Sequence, residues 1–148
     1  MRLSKHFTLT ELTRSATAQR LGLDNSPTVH ELANLMRLAT VLEDVRHVLG
    51  SRPILISSGF RSEAVNKAVG GSTSSAHRLG LAADFTCPDF GSPLMVCRAI
   101  ASSGIQFDQL IHEKGSWVHL GLSQSAPRTQ MLTFDGTRYL PGLRSITG

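Results

Sequence analysis

The stretch SSAHRLGLAADF at residues 74–85 combines a β-strand pattern with two side chains that can bind a metal ion. Over residues 79–86 the alternation places the apolar side chains at 81, 83 and 85 on one face of a strand and Asp84 on the other. Either His77 or Asp84 alone is usually a surface residue or a hydrogen-bonded core residue. Together, beside a run that the chain buries, they indicate a functional site.

Four helices are predicted from caps and hydrophobic spacing. Capping boxes, each a Thr followed three residues later by a Glu, begin one helix in TLTEL at residues 8–12 and the longest helix in residues 26–50. In the longest helix, leucine and valine recur every three or four residues up to Gly50. The third predicted helix is SEAVNKAVGG at residues 62–71, which ends in two glycines. The fourth is GSPLMVCRAIASSG at residues 91–104, which begins with a Ser-Pro pair.

The remaining strands follow from short apolar runs between turn signals. RPILISS at residues 52–58 predicts one strand. FDQLIHE and WVHLGL, joined by KGS, predict an antiparallel hairpin over residues 107–122. MLTFDGTRYL at residues 131–140 predicts a second, smaller hairpin around its Asp-Gly pair. The expected fold class is therefore α+β, a small antiparallel sheet with helices packed on one side.

Length and composition fit one domain over residues 1–148. With 41% hydrophobic and 18% charged residues, the chain can bury a sizeable core. No apolar run is long enough to cross a bilayer, and MRLSKHFTLTEL has no signal-peptide core, so a cytoplasmic protein without a transmembrane segment is expected. Cys87 and Cys97 are too few for a disulfide framework and are expected to be small buried hydrophobes.

The net charge of +4 suits an anionic partner such as nucleic acid, a membrane surface or a bacterial cell wall. Lys and Arg are scattered, however, and aromatic residues make up only 5% of the chain. No basic run interleaved with aromatics occurs, so nucleic acid is not the expected partner.

The predicted strands place three potential metal ligands on one side of the sheet. In WVHLGL, Val118 and Leu120 point inward, so Trp117 and His119 share the opposite face. Two imidazoles and one carboxylate, from His77, Asp84 and His119, leave a fourth position open, which is the ligand count of a catalytic zinc. A zinc site in a cleft on the sheet is expected. The other histidines sit in helices or lack a partner at a useful spacing: His6, His30, His47 and His112.

The pattern S-x-H-x-x-G-x-A-x-D at residues 75–84, followed by W-V-H at residues 117–119, resembles the M15 family of zinc peptidoglycan peptidases. This family includes D-Ala-D-Ala carboxypeptidases, D,D-dipeptidases and L-alanyl-D-glutamate endopeptidases. The resemblance runs from HFTLTEL through SSGFRS to WVHLGL and is closest to the compact type found in phage lysins. It implies a fold like that of DD-peptidases and hedgehog domains.

The resemblance implies a role for each matching residue. His77, Asp84 and His119 become the Zn²⁺ ligands, and Arg61 becomes the group that holds the scissile carbonyl oxygen as it turns into an oxyanion. Small residues at positions 80 and 82 are expected to let the backbone approach the metal site.

The general base is harder to assign, because the family often places Asp or Glu three residues before the last histidine and this chain has Ser116 there. Glu113 is the expected base, with Asp108 and His112 as alternatives. Ser75 either binds a substrate carboxylate or shapes the loop. Trp117 either lines the cleft or packs in the hairpin.

The function implied is zinc-dependent hydrolysis of a peptide bond in peptidoglycan stem peptides by a cell-wall lytic endopeptidase acting on an L-Ala-D-Glu or D-Ala-containing bond. One alternative is a D-Ala-D-Ala carboxypeptidase. Another, which the departure at Ser116 leaves open, is an inactive zinc-containing module that binds the wall or a protein. Peptidoglycan is the expected partner, and a monomer is the expected state. The enzyme would be stored in the cytoplasm and reach the wall after release.

Overall fold

The computed structural model describes residues 1–146, which form five α-helices, one 3₁₀ turn and six strands. The helices are α1 Leu9–Thr13, α2 Ala16–Leu21, α3 Val29–Val48, α4 Glu63–Ala68 and α5 Pro93–Ala101, and the 3₁₀ turn is Ala76–Leu79. The strands are β1 Leu55–Ser58, β2 Ala82–Thr86, β3 Gln109–Glu113, β4 Trp117–Gly121, β5 Gln130–Phe134 and β6 Tyr139–Pro141.

The predicted helix starts are confirmed by their hydrogen bonds. The Thr8 hydroxyl accepts from the Glu11 amide while the Glu11 carboxylate accepts from the Thr8 amide, and Thr28 and Glu31 repeat the arrangement at α3. Helix α2, with Ser15 as its N-cap, was not predicted. Its six residues, ATAQRL, are too few and too polar to show a helical period.

The six strands form one sheet in the order β1-β2-β4-β3-β5-β6. The prediction of an antiparallel sheet is wrong at one pair, since β3 and β5 are parallel and the sheet is mixed. Residues 122–129 pass the start of β3 at Gln109 and lead into β5 on the side of β3 that faces away from β4. Strand β5 therefore runs opposite to β4. Because β4 is itself antiparallel to β3, β5 is parallel to β3. Its pairing with β6 is antiparallel, as the Asp-Gly turn predicted.

One face of the sheet contributes to a single hydrophobic core with the helices. Helix α3 directs Leu35, Leu38, Leu42 and Val45 into this core, where each is fully buried. Cys87 and Cys97 are buried free thiols in the same core, as predicted. The side chains of the sheet's core face are Ala83, Phe85, Leu110, Val118 and Leu120. Among the helices of residues 1–146, none combines the length and apolar composition that a bilayer crossing needs.

The 3₁₀ turn is fastened to the long helix α3. The Asn34 amide donates to the Leu79 carbonyl at 2.8 Å, and Arg78 forms an ion pair with Glu31. Gly80 follows the turn with a φ of +77°, and a Cβ there would lie 3.1 Å from the Leu35 Cγ atom. Gly80 therefore lets the chain approach α3, and the expectation that it makes room for the metal site is wrong.

Candidate metal centre

Three side chains that sequence analysis selected come together on the face of the sheet that points away from the core. The ligand atoms of His77, Asp84 and His119 all lie within 4.8 Å of one another. The Asp84 Oδ1 atom lies 3.2 Å from His77 Nε2 and 2.9 Å from His119 Nδ1. Within residues 1–146, no fourth His, Cys, Asp or Glu joins this group.

Strand pairing and one backbone bond orient these three side chains. Asp84 and His119 are direct partners across the antiparallel β2–β4 pair, so their side chains emerge side by side. His77 comes from the 3₁₀ turn Ala76–Leu79, which directly precedes β2. Its Nδ1 atom donates to the Gly59 carbonyl at 2.7 Å, which fixes the ring and leaves Nε2 turned toward Asp84.

This group fits a zinc ion. Imidazole and carboxylate are zinc donors, and bonds of about 2.0–2.2 Å around a tetrahedral ion require ligand atoms roughly 3–4 Å apart. Burial would raise the pKa of Asp84, but hydrogen bonds from His119 and His77 outweigh it and lower the pKa below its ordinary value. Asp84 is therefore ionised at neutral pH, as a metal ligand must be.

Gly121 is a supporting residue that sequence analysis did not select. A Cβ at this position would lie 3.3 Å from His119 Nε2 and 3.9 Å from the Ala76 Cβ. The glycine therefore gives the His119 ring its space on the sheet. A glycine inside a strand was the available signal, because glycine there often marks a close approach.

Arg61 is held beside the metal group by the loop after β1. Its backbone amide donates to the His77 carbonyl at 2.9 Å. Together with the bond from His77 Nδ1 to the Gly59 carbonyl, this bond holds residues 59–61 against His77. Burial lowers the pKa of Arg61, while the negative charge of Asp84 opposes that shift. The buried Nε atom has no hydrogen-bond partner among the described residues. A Cβ at Gly71 would lie 3.1 Å from Arg61 Nη1, so this glycine makes room for the guanidinium.

Of the three candidate bases, Glu113 lies in the same cavity as the metal group and on the same sheet face as His119. Burial raises its pKa above the ordinary value for glutamate. His112 lies on the opposite face, buried, with its Nδ1 atom 3.0 Å from the Arg144 carbonyl. Asp108 also lines the cavity, but its carboxylate is held by Arg128 at 2.8 Å.

A cavity of about 850 Å³ connects these groups. Ser75 lines it, while its hydroxyl accepts from the His77 amide at 3.3 Å and so caps the 3₁₀ turn. Trp117 lines it as well, and so does Tyr139, which sequence analysis did not select. Burial and the negative charges of Glu113 and Asp84 raise the pKa of Tyr139.

Two imidazoles and a carboxylate with an open coordination position, next to an arginine and a second carboxylate, are typical of mononuclear metallohydrolases. The peptidase M15 family matches residues 5–121, and the chain belongs to this family. Over 79 residues the chain is 37% identical to the zinc D-Ala-D-Ala carboxypeptidase of Streptomyces albus G. That match covers 53% of this chain and 30% of the relative, so the chain spans less than a third of that protein.

Proposed function

We propose that this protein is a zinc-dependent peptidase that hydrolyses a peptide bond in the stem peptides of peptidoglycan. The observation that carries the proposal is the convergence of His77, Asp84 and His119 in a cavity that also contains Arg61 and Glu113. Membership of the peptidase M15 family and the similarity to a zinc carboxypeptidase support it. Within residues 1–146 the structure has one hydrophobic core, which supports the prediction of a single domain over residues 1–148.

His77, Asp84 and His119 would hold the zinc ion through two neutral imidazoles and one carboxylate. Zinc bound there supplies Lewis acidity and makes hydroxide available at neutral pH. The hydrogen bond from His77 Nδ1 to the Gly59 carbonyl keeps the other ring nitrogen free as a ligand.

Glu113 acts as the general base and then as the general acid. Its carboxylate takes the proton of the attacking water and later gives it to the amide nitrogen, which leaves as an amine when the C–N bond breaks. Glu113 is partly buried and pairs with Trp117 on β4 and Phe134 on β5, an environment that suits a carboxylate that must first bind and then release a proton. The water oxygen ends in the new carboxyl group.

Arg61 stabilises the oxyanion of the tetrahedral intermediate. Its half-buried guanidinium lines the cavity beside the metal group, where a cationic donor can face a substrate oxygen. Ser75 and Trp117 are proposed substrate contacts, because both line the cavity. Ser75 also caps the turn that carries His77, so its two suggested roles are compatible.

The proposed reaction is endopeptidase cleavage of an L-Ala-D-Glu or D-Ala-containing bond. The name of the Streptomyces relative favours the alternative, a D-Ala-D-Ala carboxypeptidase. An inactive zinc-containing binding module is a candidate of a different class, since Ser116 stands where many family members have an acid. Storage in the producing cell's cytoplasm, later action at the wall and a monomeric state stay predictions.

Purified protein incubated with peptidoglycan, with and without a chelator, tests the proposal. Mass spectrometry of the fragments should reveal new L-alanine carboxyl ends for the endopeptidase and free D-alanine for the carboxypeptidase. Chelation should abolish release and added zinc should restore it. Zinc binding without any released fragment would favour the binding module instead.

A further inference from the structure

Glu113 lies within a row of aromatic side chains that crosses four strands. Its partner on β4 is Trp117, its partner on β5 is Phe134, and Phe134 in turn pairs with Tyr139 on β6. We call Trp117, Phe134 and Tyr139 the aromatic row. Trp117 is two residues from His119 on the same strand, so the row lies on the face that carries the metal group.

The aromatic row is held in place by its own contacts. The rings of Phe134 and Tyr139 lie 4.5 Å apart, centroid to centroid, at an interplanar angle of 32°. The Lys114 ammonium lies 5.5 Å from the centre of the Trp117 ring and 5.9 Å from that of Phe134. These contacts orient the Trp117 and Tyr139 rings before any ligand arrives, which reduces the entropy cost of binding.

The chain places its most accessible aromatic surface in this row. Trp117 and Tyr139 are the only tryptophan and the only tyrosine in the sequence, and both line the cavity. Tyr139 is 56% exposed. Four of the six phenylalanines are instead buried in the core: Phe7, Phe60, Phe85 and Phe107.

We propose that the aromatic row binds a sugar ring of the glycan strand to which the stem peptide is attached. This inference rests on the proposed function. A pyranose ring presents a flat face of C–H bonds and a polar edge. The row offers flat ring faces, with the Lys114 ammonium and the Tyr139 hydroxyl beside them. A large apolar side chain would call for an enclosed pocket, and the exposed Tyr139 ring does not provide one.

The other side of the metal group has different chemistry. Gln109 pairs with Gly121, two residues beyond His119, and its side chain donates to the Gln130 side chain at 2.7 Å. The ion pair of Asp108 and Arg128 lies next to them. The cavity therefore has an aromatic end and a polar end with the metal group between them, which suits a sugar on one side and a polar peptide on the other.

The spacing of the row selects the bond that is cut. Trp117 of the aromatic row and His119 of the metal group are two residues apart on β4, a distance of about 7 Å along the strand. An extended chain spans about 3.4 Å per residue, so the scissile bond lies about two units from the sugar. The lactyl group and the L-alanine are those two units. The L-Ala-D-Glu bond fits this distance, and a terminal D-Ala-D-Ala bond lies too far away.

Two of the three residues of the aromatic row lie outside the region that the family match covers. Phe134 and Tyr139 lie beyond residue 121, where the match ends. The hairpin of β5 and β6 therefore adds an element of recognition to the matched site.

The single tryptophan allows a direct binding test, since its fluorescence reports on Trp117 alone. The zinc-loaded protein is titrated with peptide-free glycan strands, which contain no bond to cleave. We expect a saturable change in emission. Tyr139→Ala should weaken the fitted affinity at least about five-fold, while Tyr139→Phe, which keeps the ring, should bind almost as the wild type does. Circular dichroism checks that each variant is folded.

Other outcomes overturn the inference. If the glycan causes no saturable change, the row does not bind sugar. If only the free stem peptide changes the emission, the row holds part of the peptide. An unchanged affinity in Tyr139→Ala would remove this ring from the site. Because glycan binding is measured without hydrolysis, a negative result here is distinct from a failure of the proposed peptidase activity.

Kinetics provide a second readout that a general loss of fold would not reproduce. On glycan-linked peptidoglycan, Tyr139→Ala should raise KM at least about five-fold with little change in kcat. On the free stem peptide, both parameters should match the wild type. Equal losses on the two substrates would contradict a sugar-binding role.

Discussion

The two faces of strands β2, β3 and β4 carry opposite chemistry although their residues alternate along the same chain. The core face is buried and, except for His112, apolar, as in Phe85 and Leu120. The opposite face carries Asp84, Glu113 and His119, which line the cavity. Neighbouring residues thus serve stability or chemistry according to the side on which they emerge. Substitutions at adjacent positions should therefore separate the two roles.

The largest expected difference is between His119 and Leu120. His119→Ala should lower the hydrolysis rate on the order of 10³-fold, because the metal ion supplies several kcal/mol of catalysis. Its zinc content, measured by atomic emission, should fall while the fold persists. Leu120→Ala should instead lower the free energy of unfolding by about 2–5 kcal/mol and keep its zinc while folded. A wild-type hydrolysis rate in His119→Ala would contradict the assignment of His119 to the metal site.

The next difference is between the two adjacent candidates for the base. Glu113→Gln should lower kcat by roughly 10²- to 10³-fold with zinc still bound, because the carboxylate that moves the proton is gone. His112→Gln should change kcat only a few-fold, since this side chain lies on the core face. Steady-state kinetics of both variants decide the assignment. A larger loss at His112 would reassign the base.

The third comparison concerns Arg61, which comes from the loop after β1. It tests whether the residues of the sheet face are sufficient for catalysis without this loop residue. Arg61→Lys should lower kcat about 10²-fold with a smaller effect on KM, since lysine keeps the charge but not the planar fork of donors. Arg52→Lys is the matched control, as Arg52 lies near Phe90 and outside the cavity. Equal kinetics for Arg61→Lys and wild type would remove Arg61 from the reaction.

The smallest expected effect is a dependence of stability on pH in the metal-free protein. The pKa of Asp84 is lowered in the folded state, so the folded form binds fewer protons than the unfolded form in the acid range. The stabilisation is complete above the ordinary pKa of aspartate and is lost as the pH falls through the lower folded value.

Denaturant unfolding of chelated protein between about pH 5 and pH 3 measures this dependence. Wild type should lose stability on acidification more steeply than Asp84→Asn, which has no carboxylate to titrate at this position. Parallel curves for the two proteins would show that the Asp84 interactions contribute nothing to the acid sensitivity.

Local rules were reliable wherever a few consecutive residues decide the structure. Capping boxes at Thr8 and Thr28 placed helix starts, and the alternation around Asp84 and His119 placed side chains on the correct faces. The same rules missed α2, whose short polar sequence has no period. The family resemblance, rather than a local rule, assigned Gly80 to the metal site, although its neighbour in space is α3.

The sequence by itself determined the helix caps, the strand faces and the residue types for a metal site, because these depend on neighbours along the chain. Only the tertiary structure decided that β5 pairs with β3, that Gly121 lies beside the His119 ring, and that Tyr139 joins the cavity. Each of these depends on which distant segments meet when the core is buried. Hydrophobic burial is not directional, so strand order and the aromatic row could not be read from local pattern.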